Sequence, residues 1–504
     1  MNRRLRLATC LLCTGALHSA ELRIEVTDET GTPMWSRIEV RGADGRMPQP
    51  ASALVDKTAR NREGGQAYYL GSFVVRGQCE LTVPPGDYLV VAEHGPEYER
   101  FVQRVTVGPD ETRELAIRLA PWIRMRELNW WSGDMHVHRP VEEAPSLALA
   151  EDLNLSVVFT MWNRRNLWSE RPPPDDPVIR ASTYHLVTVM NAEDERGGGA
   201  WMLHHLPEPI DLAVDGRWYP AGLKFIREVR EAKGTGDLFP WVDLEKPIWW
   251  ETPIVMALEP PNSLGTLHNH FNQYGIYASE AWGRPRDADE FSGQEGFVSY
   301  SLGLYYRYLN LGFRLPPSAG SASGVLPNPV GYNRIYARVD GPFSVESWYQ
   351  AVREGRVFVT NGPMLFVNLS KSGDSYLLSV DARSREPLDR IEIVANGKVV
   401  RTFNPPAGAK EFRGSAEFSR RNFSWVAARC FAKSPETIRL AHSAPVYLDA
   451  DWDGSADARY FLAWIDELIA LTQSETDRFA SDVERDAILA LYREAREFYE
   501  RKVR

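Results

Sequence analysis

Residues 129–139 run Asn129-Trp130-Trp131-Ser132-Gly133-Asp134-Met135-His136-Val137-His138-Arg139. Read as an extended strand, this segment alternates its side chains between two faces, so Asp134, His136 and His138 fall in line on one of them. Two imidazoles side by side at a strand end, with a carboxylate behind them, are the first two ligands of a divalent metal site. A lone His-x-His is common, so the surrounding chain has to carry the reading.

Working outward, residues 127–365 have the texture of strands alternating with helices, the pattern of a parallel sheet or barrel. Leu147 to Leu153 reads as a helix feeding the apolar strand Leu155 to Thr160. Tyr184 to Met190 is a second strand, ending at Asn191-Ala192-Glu193-Asp194-Glu195-Arg196, where Glu193 is a candidate bridging carboxylate. Phe225 to Lys233 is helical and stops at Gly234, Ile254 to Leu258 is apolar again, and Ser344 caps a helix that ends before Gly355. Polar residues therefore gather just after strands, where parallel α/β folds place their sites.

A second pair, Leu267-His268-Asn269-His270, follows in the same region. Four imidazoles and a carboxylate can hold one or two zinc, manganese or iron ions. His204-His205 is expected to split, one ring toward the core and one outward. Gly197-Gly198-Gly199 reads as a flexible loop. The chain has no Gly-x-Ser-x-Gly elbow, no Walker loop and no His-Glu-x-x-His. Glu245, Glu251 and Glu259 lie near Trp249-Trp250, a combination that also fits a carboxylate glycosidase with a sugar-stacking platform.

The flanks read differently. Residues 21–124 are all-β, with turn signals at Asp28-Glu29-Thr30-Gly31, Gly42-Ala43-Asp44-Gly45 and Pro84-Pro85-Gly86-Asp87; Leu81-Thr82-Val83 and Tyr88 to Ala92 read as a hairpin about the last. This stretch resembles carboxypeptidase regulatory-like β-sandwich modules, which makes His94 a packing or surface residue. Residues 366–450 return to β texture, with a hairpin on Asn396-Gly397, and 451–504 are helical. Phe461, Trp464, Ile465 and Leu468 form one apolar stripe, and Ile488, Leu491, Tyr492, Ala495 and Phe498 another, both read as packing faces.

At 504 residues, 43% hydrophobic and 25% charged, the chain suits a globular protein of about three to four domains. A net charge of −10 argues against a nucleic-acid partner. Arg3, Arg4 and Arg6, then an apolar run to Leu17 and the small Ser19 and Ala20, read as an export signal over residues 1–20, too short for a membrane span. Its removal takes the formal charge to −13 and leaves only Cys79 and Cys430, so neither a disulfide framework nor a cysteine zinc site is expected.

"WWSGDMHVHRP", "LALAEDLNLSVVFTMWN" and "REGRVFVTNGPMLFV" resemble the CehA/McbA-type metallohydrolases of the PHP (polymerase and histidinol phosphatase) superfamily over about residues 125–370. The resemblance implies a distorted (β/α)7 barrel over 125–365, with metal at the C-terminal strand ends and hydrolysis of phosphoester, ester or carbamate bonds. His136 and His138 match first-strand ligands, and Glu193 the carboxylate after the third strand. Where the family has Thr-Asp-His, His-Pro and Gly-Ser-Asp-x-His, this chain has Thr160-Met161-Trp162, Lys246-Pro247 and Gly320-Ser321-Ala322-Ser323-Gly324. Three family ligands are thus absent, and a trinuclear cluster is out of reach. The expectation is an exported hydrolase acting on a small-molecule or carbohydrate-like substrate. It uses a divalent metal held by His136, His138, Glu193 and His268 or His270, with Asp134 as an orienting residue and Glu245 and Lys246 in the catalytic surroundings. The alternative is a degenerate barrel that binds a carbohydrate or envelope component.

Overall fold

The computed structural model describes residues 19–50, 54–55, 71–232, 238–419, 421–448 and 450–503. The segment read as an export signal, apart from Ser19 and Ala20, and the helix stop at Gly234 lie outside them. The described residues form two compact units, one within 19–55, 71–92 and 100–119, the other within 93–99 and 120–503.

In the first unit, Ala20–Thr27 lies between Gln78–Val83 and Thr112–Arg118 in one sheet, while Trp35–Gly42, Gly86–Glu93 and Phe101–Val107 belong to another. Alternation buries Leu22, Ile24 and Val26 and leaves Arg23 and Glu25 exposed. The expected hairpin about Pro84-Pro85 is not formed: Gln78–Val83 pairs with Ala20–Thr27, and Gly86–Glu93 with Phe101–Val107. Two prolines in succession offer no N–H to a ladder, so the chain turns a corner from one sheet into the other. Tyr88 secures that corner by donating its hydroxyl to the Pro84 carbonyl at 2.6 Å.

The second unit is mixed α/β. Its long sheet runs Pro317–Ala319, Ser263–Leu267, Trp241–Leu244, Gly199–His204, His185–Arg196, Leu155–Trp162, Trp130–Val137, Arg334–Arg338, Val357–Thr360, Arg439–Ser443, Trp425–Ala432, Leu388–Ala395, Lys398–Phe403. Trp130–Val137, Leu155–Trp162 and His185–Arg196 are parallel neighbours, as are the strands from Trp241–Leu244 to Pro317–Ala319. Gly199–His204 is antiparallel to both its neighbours, so the sheet is not the purely parallel one expected. The strand pairing forms an open path, and no closed barrel is recorded among the described residues.

The domain boundary read at residue 365 is bridged by this sheet, because Val357–Thr360 pairs with Arg439–Ser443. A three-stranded sheet, Met364–Ser372, Ser375–Arg383 and Glu411–Ser419, packs Val380 and Ala382 against Ile391, Ala428 and Cys430. The Asn396-Gly397 turn is present, both residues at positive φ as a two-residue hairpin turn demands. Ser344 caps Val345–Arg353 by accepting the Ser347 N–H at 3.1 Å. Ile254 to Leu258 lies in the helix Thr252–Leu258, since Pro253 at its first turn suits a helix start.

Both stripes of the helical tail are packing faces, with Phe461, Trp464, Ile465, Leu468, Ile488, Tyr492 and Ala495 in the main core. The tail also buries a carboxyl group. Tyr492 donates its hydroxyl to Glu251 at 2.6 Å, and burial pushes Glu251 up to about 7. Between its ordinary 4.5 and about 7 the folded chain keeps a proton that the unfolded chain has released, so this group's contribution to stability falls as pH rises through that window. Glu251→Gln is therefore expected to exceed wild type by about 3 kcal/mol at pH 8, with the gap nearly closed at pH 5. Urea unfolding at the two pH values checks this, and a gap independent of pH would refute it.

Candidate metal centre

The site is built from strand ends. His136 lies in Trp130–Val137 and His138 just beyond it, on the face shared with Asp134. The segment after Pro317–Ala319 returns against this strand, with Ala322 N donating to the His136 carbonyl and His138 N to the Ser323 carbonyl, both at 2.8 Å. Gly320 permits that approach: a Cβ there would stand 2.4 Å from the His136 Cβ. Asp134 is the clamp. It is buried and accepts from His136 N (3.0 Å), Ser321 N (3.0 Å), Ser321 Oγ (2.5 Å) and Gly331 N (2.7 Å). These bonds act on backbone and loop, so Asp134 bears on His136 through its backbone N–H and not through an imidazole nitrogen.

The carboxylate comes from an unexpectedly long strand. His185–Arg196 continues through all the acids placed on a following loop, because Ala192 to Arg196 pair with Gly199–His204 across a tight turn. Alternation then turns Glu193 and Glu195 to one face, while Asp194 on the other binds Arg196 at 2.8 Å (Oδ2 to Nη2). Pairing sets Glu193 beside Trp162. The Gly197-Gly198-Gly199 turn is held by packing rather than free, since a Cβ on Gly198 would meet the Glu251 carboxyl at 2.4 Å.

Three donors converge. His136 Nε2 and His138 Nε2 are 2.8 Å apart, and Glu193 Oε2 lies 3.6 Å from the first and 2.9 Å from the second. Among the described residues these three form the group of His, Cys, Asp and Glu donors within mutual reach of one ion, all within 4.8 Å of one another. Behind them, Glu245 Oε1 lies 3.3 Å from His136 Nδ1, and Glu245 Oε2 takes an ion pair from Lys246 Nζ at 2.5 Å. His136 Nδ1, Glu193 Oε2 and Glu245 Oε1 are buried and lack aligned hydrogen bonds, so the close approaches just given are electrostatic contacts.

The charges demand a cation. Burial pushes the Glu193 carboxyl up, but His136 and then His138 outweigh it and hold it at about 2. Burial pulls His136 down, and Glu193 followed by Glu245 reverse this and raise it to about 10. His138 is lowered, chiefly by burial, with Glu193 opposing. Of the two buried carboxylates, Glu245 is balanced by Lys246, and Glu193 is left to be balanced by one positive charge at the imidazoles, a proton or a metal ion. The donor set, two imidazole nitrogens and the unbonded Glu193 Oε2, fits zinc, manganese or iron.

Other expected residues stand elsewhere. His268 and His270 do not join the donor group: His268 Nε2 contacts Ser301 Oγ at 3.2 Å, and His270 stacks on Phe297. Both rings are held in the aromatic surroundings of helix Gly293–Asn310, which decides their direction. Lys246 is tied to Glu245 and lies 4.5 Å over the Trp249 ring. His204-His205 splits as expected, His204 buried against the Tyr349 hydroxyl at 2.9 Å and His205 half-buried against Phe239. His94 is a packing residue, its ring on Tyr98 and Nδ1 3.1 Å from the Ala150 carbonyl. The glycosidase carboxylates disperse: Glu245 to His136, Glu251 to Tyr492, Glu259 to Arg227 and Arg230. Cys79 and Cys430 are buried free thiols, one in each unit.

The cleft beside the centre went unread in the sequence. It holds about 580 Å³, and its walls include Trp162, Arg164, Arg165, Glu195, Arg196, Asp215, Arg217 and Trp282. Trp162 links the cleft to the donors: it stands 4.6 Å from the His138 ring and donates its indole N–H to Glu195 Oε2 at 3.1 Å. Glu195 is half-buried, and its carboxyl is pushed up to about 7, first by loss of water around it and then by Glu193 and Glu245. The signal for Glu195 was its i+2 spacing from Glu193, visible only once the strand is known to continue.

No family model matches the chain, and no curated protein matches it. Among solved structures, the minor pilin GBS52 of Streptococcus agalactiae is similar at 14% identity over 21% of this chain and 47% of its own, with a TM-score of 0.16. Wild-type OgpA from Akkermansia muciniphila is similar at 15% identity over 37% of this chain and 63% of its own, with a TM-score of 0.14. Likeness at that level carries no argument about fold or activity. No described helix is long and apolar enough to cross a membrane.

Proposed function

We propose that this protein is an exported, metal-dependent hydrolase of the PHP type, acting on a phosphoester, ester or carbamate. The observation that carries the reading is the convergence of His136 Nε2, His138 Nε2 and Glu193 Oε2, a buried carboxylate oxygen with no aligned hydrogen bond. The backbone return of Ala322 and Ser323 onto the first strand supports a barrel-like ring, since it brings the last of seven successive strands back to Trp130–Val137. His136, His138 and Glu193 would hold a divalent ion, which would supply Lewis acidity for the scissile group and for water. The residues do the rest. Glu245 holds His136 through Nδ1, which turns Nε2 to the centre, and Lys246 holds Glu245. Glu195, facing the cleft from the Glu193 side of the strand, is placed to exchange a proton with a bound group.

Metal analysis and chelation test the reading. Purified protein is expected to carry about one transition-metal ion per chain. Hydrolysis of 4-nitrophenyl acetate or bis(4-nitrophenyl) phosphate should stop on chelation and return on adding zinc or manganese. Metal-free protein with chelator-indifferent hydrolysis would sink it. A binding-only reading, for a carbohydrate or envelope component, is favoured by one observation: the three donor side chains are only 2–7% exposed. Metal retention without hydrolysis of either ester would select it.

A further inference from the structure

Four arginines line the cleft, and they are not equivalent. Arg164 is neutralised by Asp215 at 2.7 Å and also donates to the Val214 carbonyl. Arg196 is neutralised by Asp194 through two bonds. Arg165 and Arg217 have no carboxylate within ion-pair distance among the described residues. Each instead lies over an indole, Arg165 5.4 Å from the centre of Trp162 and Arg217 4.7 Å from that of Trp282. Arg165, Arg217 and Trp282 are all exposed, so both cations are open to the cleft.

A guanidinium laid on an aromatic face keeps its N–H edge free and its orientation restricted. That edge matches the oxygens of a carboxylate, sulfonate or phosphate, two bonds at a time. Arg165 and Arg217 line the cleft, whereas none of the three donors of the metal centre does. The anion they take is therefore a group other than the one hydrolysed.

We propose that Arg165 and Arg217 form a recognition site for a second, non-reacting anionic group on an aromatic or ring-containing substrate, held while the distal ester, carbamate or phosphoester is presented to the centre. The hydrolytic part of this statement rests on the proposed function; the anion site does not. Trp162 and Trp282 act through the guanidinium groups they orient, since each indole already carries an arginine and a second ring, His138 on Trp162 and Trp249 on Trp282.

Two measurements on the whole protein keep those parts separate. In the first, naphthalene-2-sulfonate is titrated by calorimetry and compared with uncharged 2-naphthalenemethanol. Wild type is expected to bind the sulfonate at least about tenfold more tightly, and Arg165→Ala/Arg217→Ala to lose that preference. Arg164→Ala, at the paired position, is expected to keep it. Equal binding of both probes by wild type, or an undiminished preference in the double variant with its thermal unfolding unchanged, would overturn the anion site. In the second, KM for 4-acetoxybenzoate is expected to rise about tenfold or more in the double variant, with that for 4-nitrophenyl acetate unchanged. Sulfonate preference that depends on the arginines, without hydrolysis of either ester by wild type, leaves the anion site standing and removes the hydrolase. Hydrolysis of both esters with equal KM values in the two proteins removes the anion site and leaves the hydrolase.

Discussion

Replacing His136 and His138 together by alanine is expected to strip the protein of bound transition metal and to lower hydrolysis by on the order of 10³-fold or more. The two rings supply two of the three converging donors, and Glu193 alone cannot hold an ion against water. The change also leaves Glu193 and Glu245 buried without their imidazole partners, which costs several kcal/mol unless they protonate. A loss of activity through unfolding must therefore be told apart from a loss of metal. Near-ultraviolet dichroism and naphthalene-2-sulfonate binding report on the fold and the cleft, and both are expected to survive. A folded double variant that keeps its metal and its rate would show that the ion, if any, is held elsewhere.

The second large effect falls on stability. Asp134→Ala is expected to cost about 4 kcal/mol or more, read from the shift of the urea midpoint. Asp134 receives four hydrogen bonds in a fully buried place, and alanine leaves three backbone or hydroxyl donors of the 321–331 segment and the His136 N–H without an acceptor. Asp134→Asn is expected to fall between, because an amide presents N–H groups to partners that are themselves donors. A loss below about 1 kcal/mol in the alanine variant would mean that water reaches these donors and that the clamp is not structural. The same variant should weaken metal retention, since the Gly320 segment braced against His136 is held by this carboxylate.

The site was partly legible beforehand. The His-x-His signal survives because strand alternation is a local property: any extended backbone puts His136 and His138 on one face. The second pair did not behave alike. His268 and His270 follow Ser263–Leu267 and are turned by packing against Phe297, which comes from a helix distant in sequence. The sequence ends the strand before Glu193, because charged residues in a row resemble solvated surface; the strand continues since its partner Gly199–His204 returns at once and pairs with Ala192 to Arg196. The Pro84-Pro85 corner was misjudged for the same reason, as the choice of partner strand lies outside the turn itself.

By itself the sequence determined the mixed α/β texture between β-rich flanks, the apolar faces of the helical tail, the turn at Asn396-Gly397, and the pairing of His136 with His138. Each follows from periodicity or from the backbone freedom of a few residues. Only the tertiary structure decided that Glu193 joins the two rings while His268 and His270 do not, that Glu245 and Lys246 stand behind His136, and that Arg165 and Arg217 line a cleft with no carboxylate partner among the described residues. These depend on strand order and on which charges find partners across the chain, and such long-range electrostatics has no local signature.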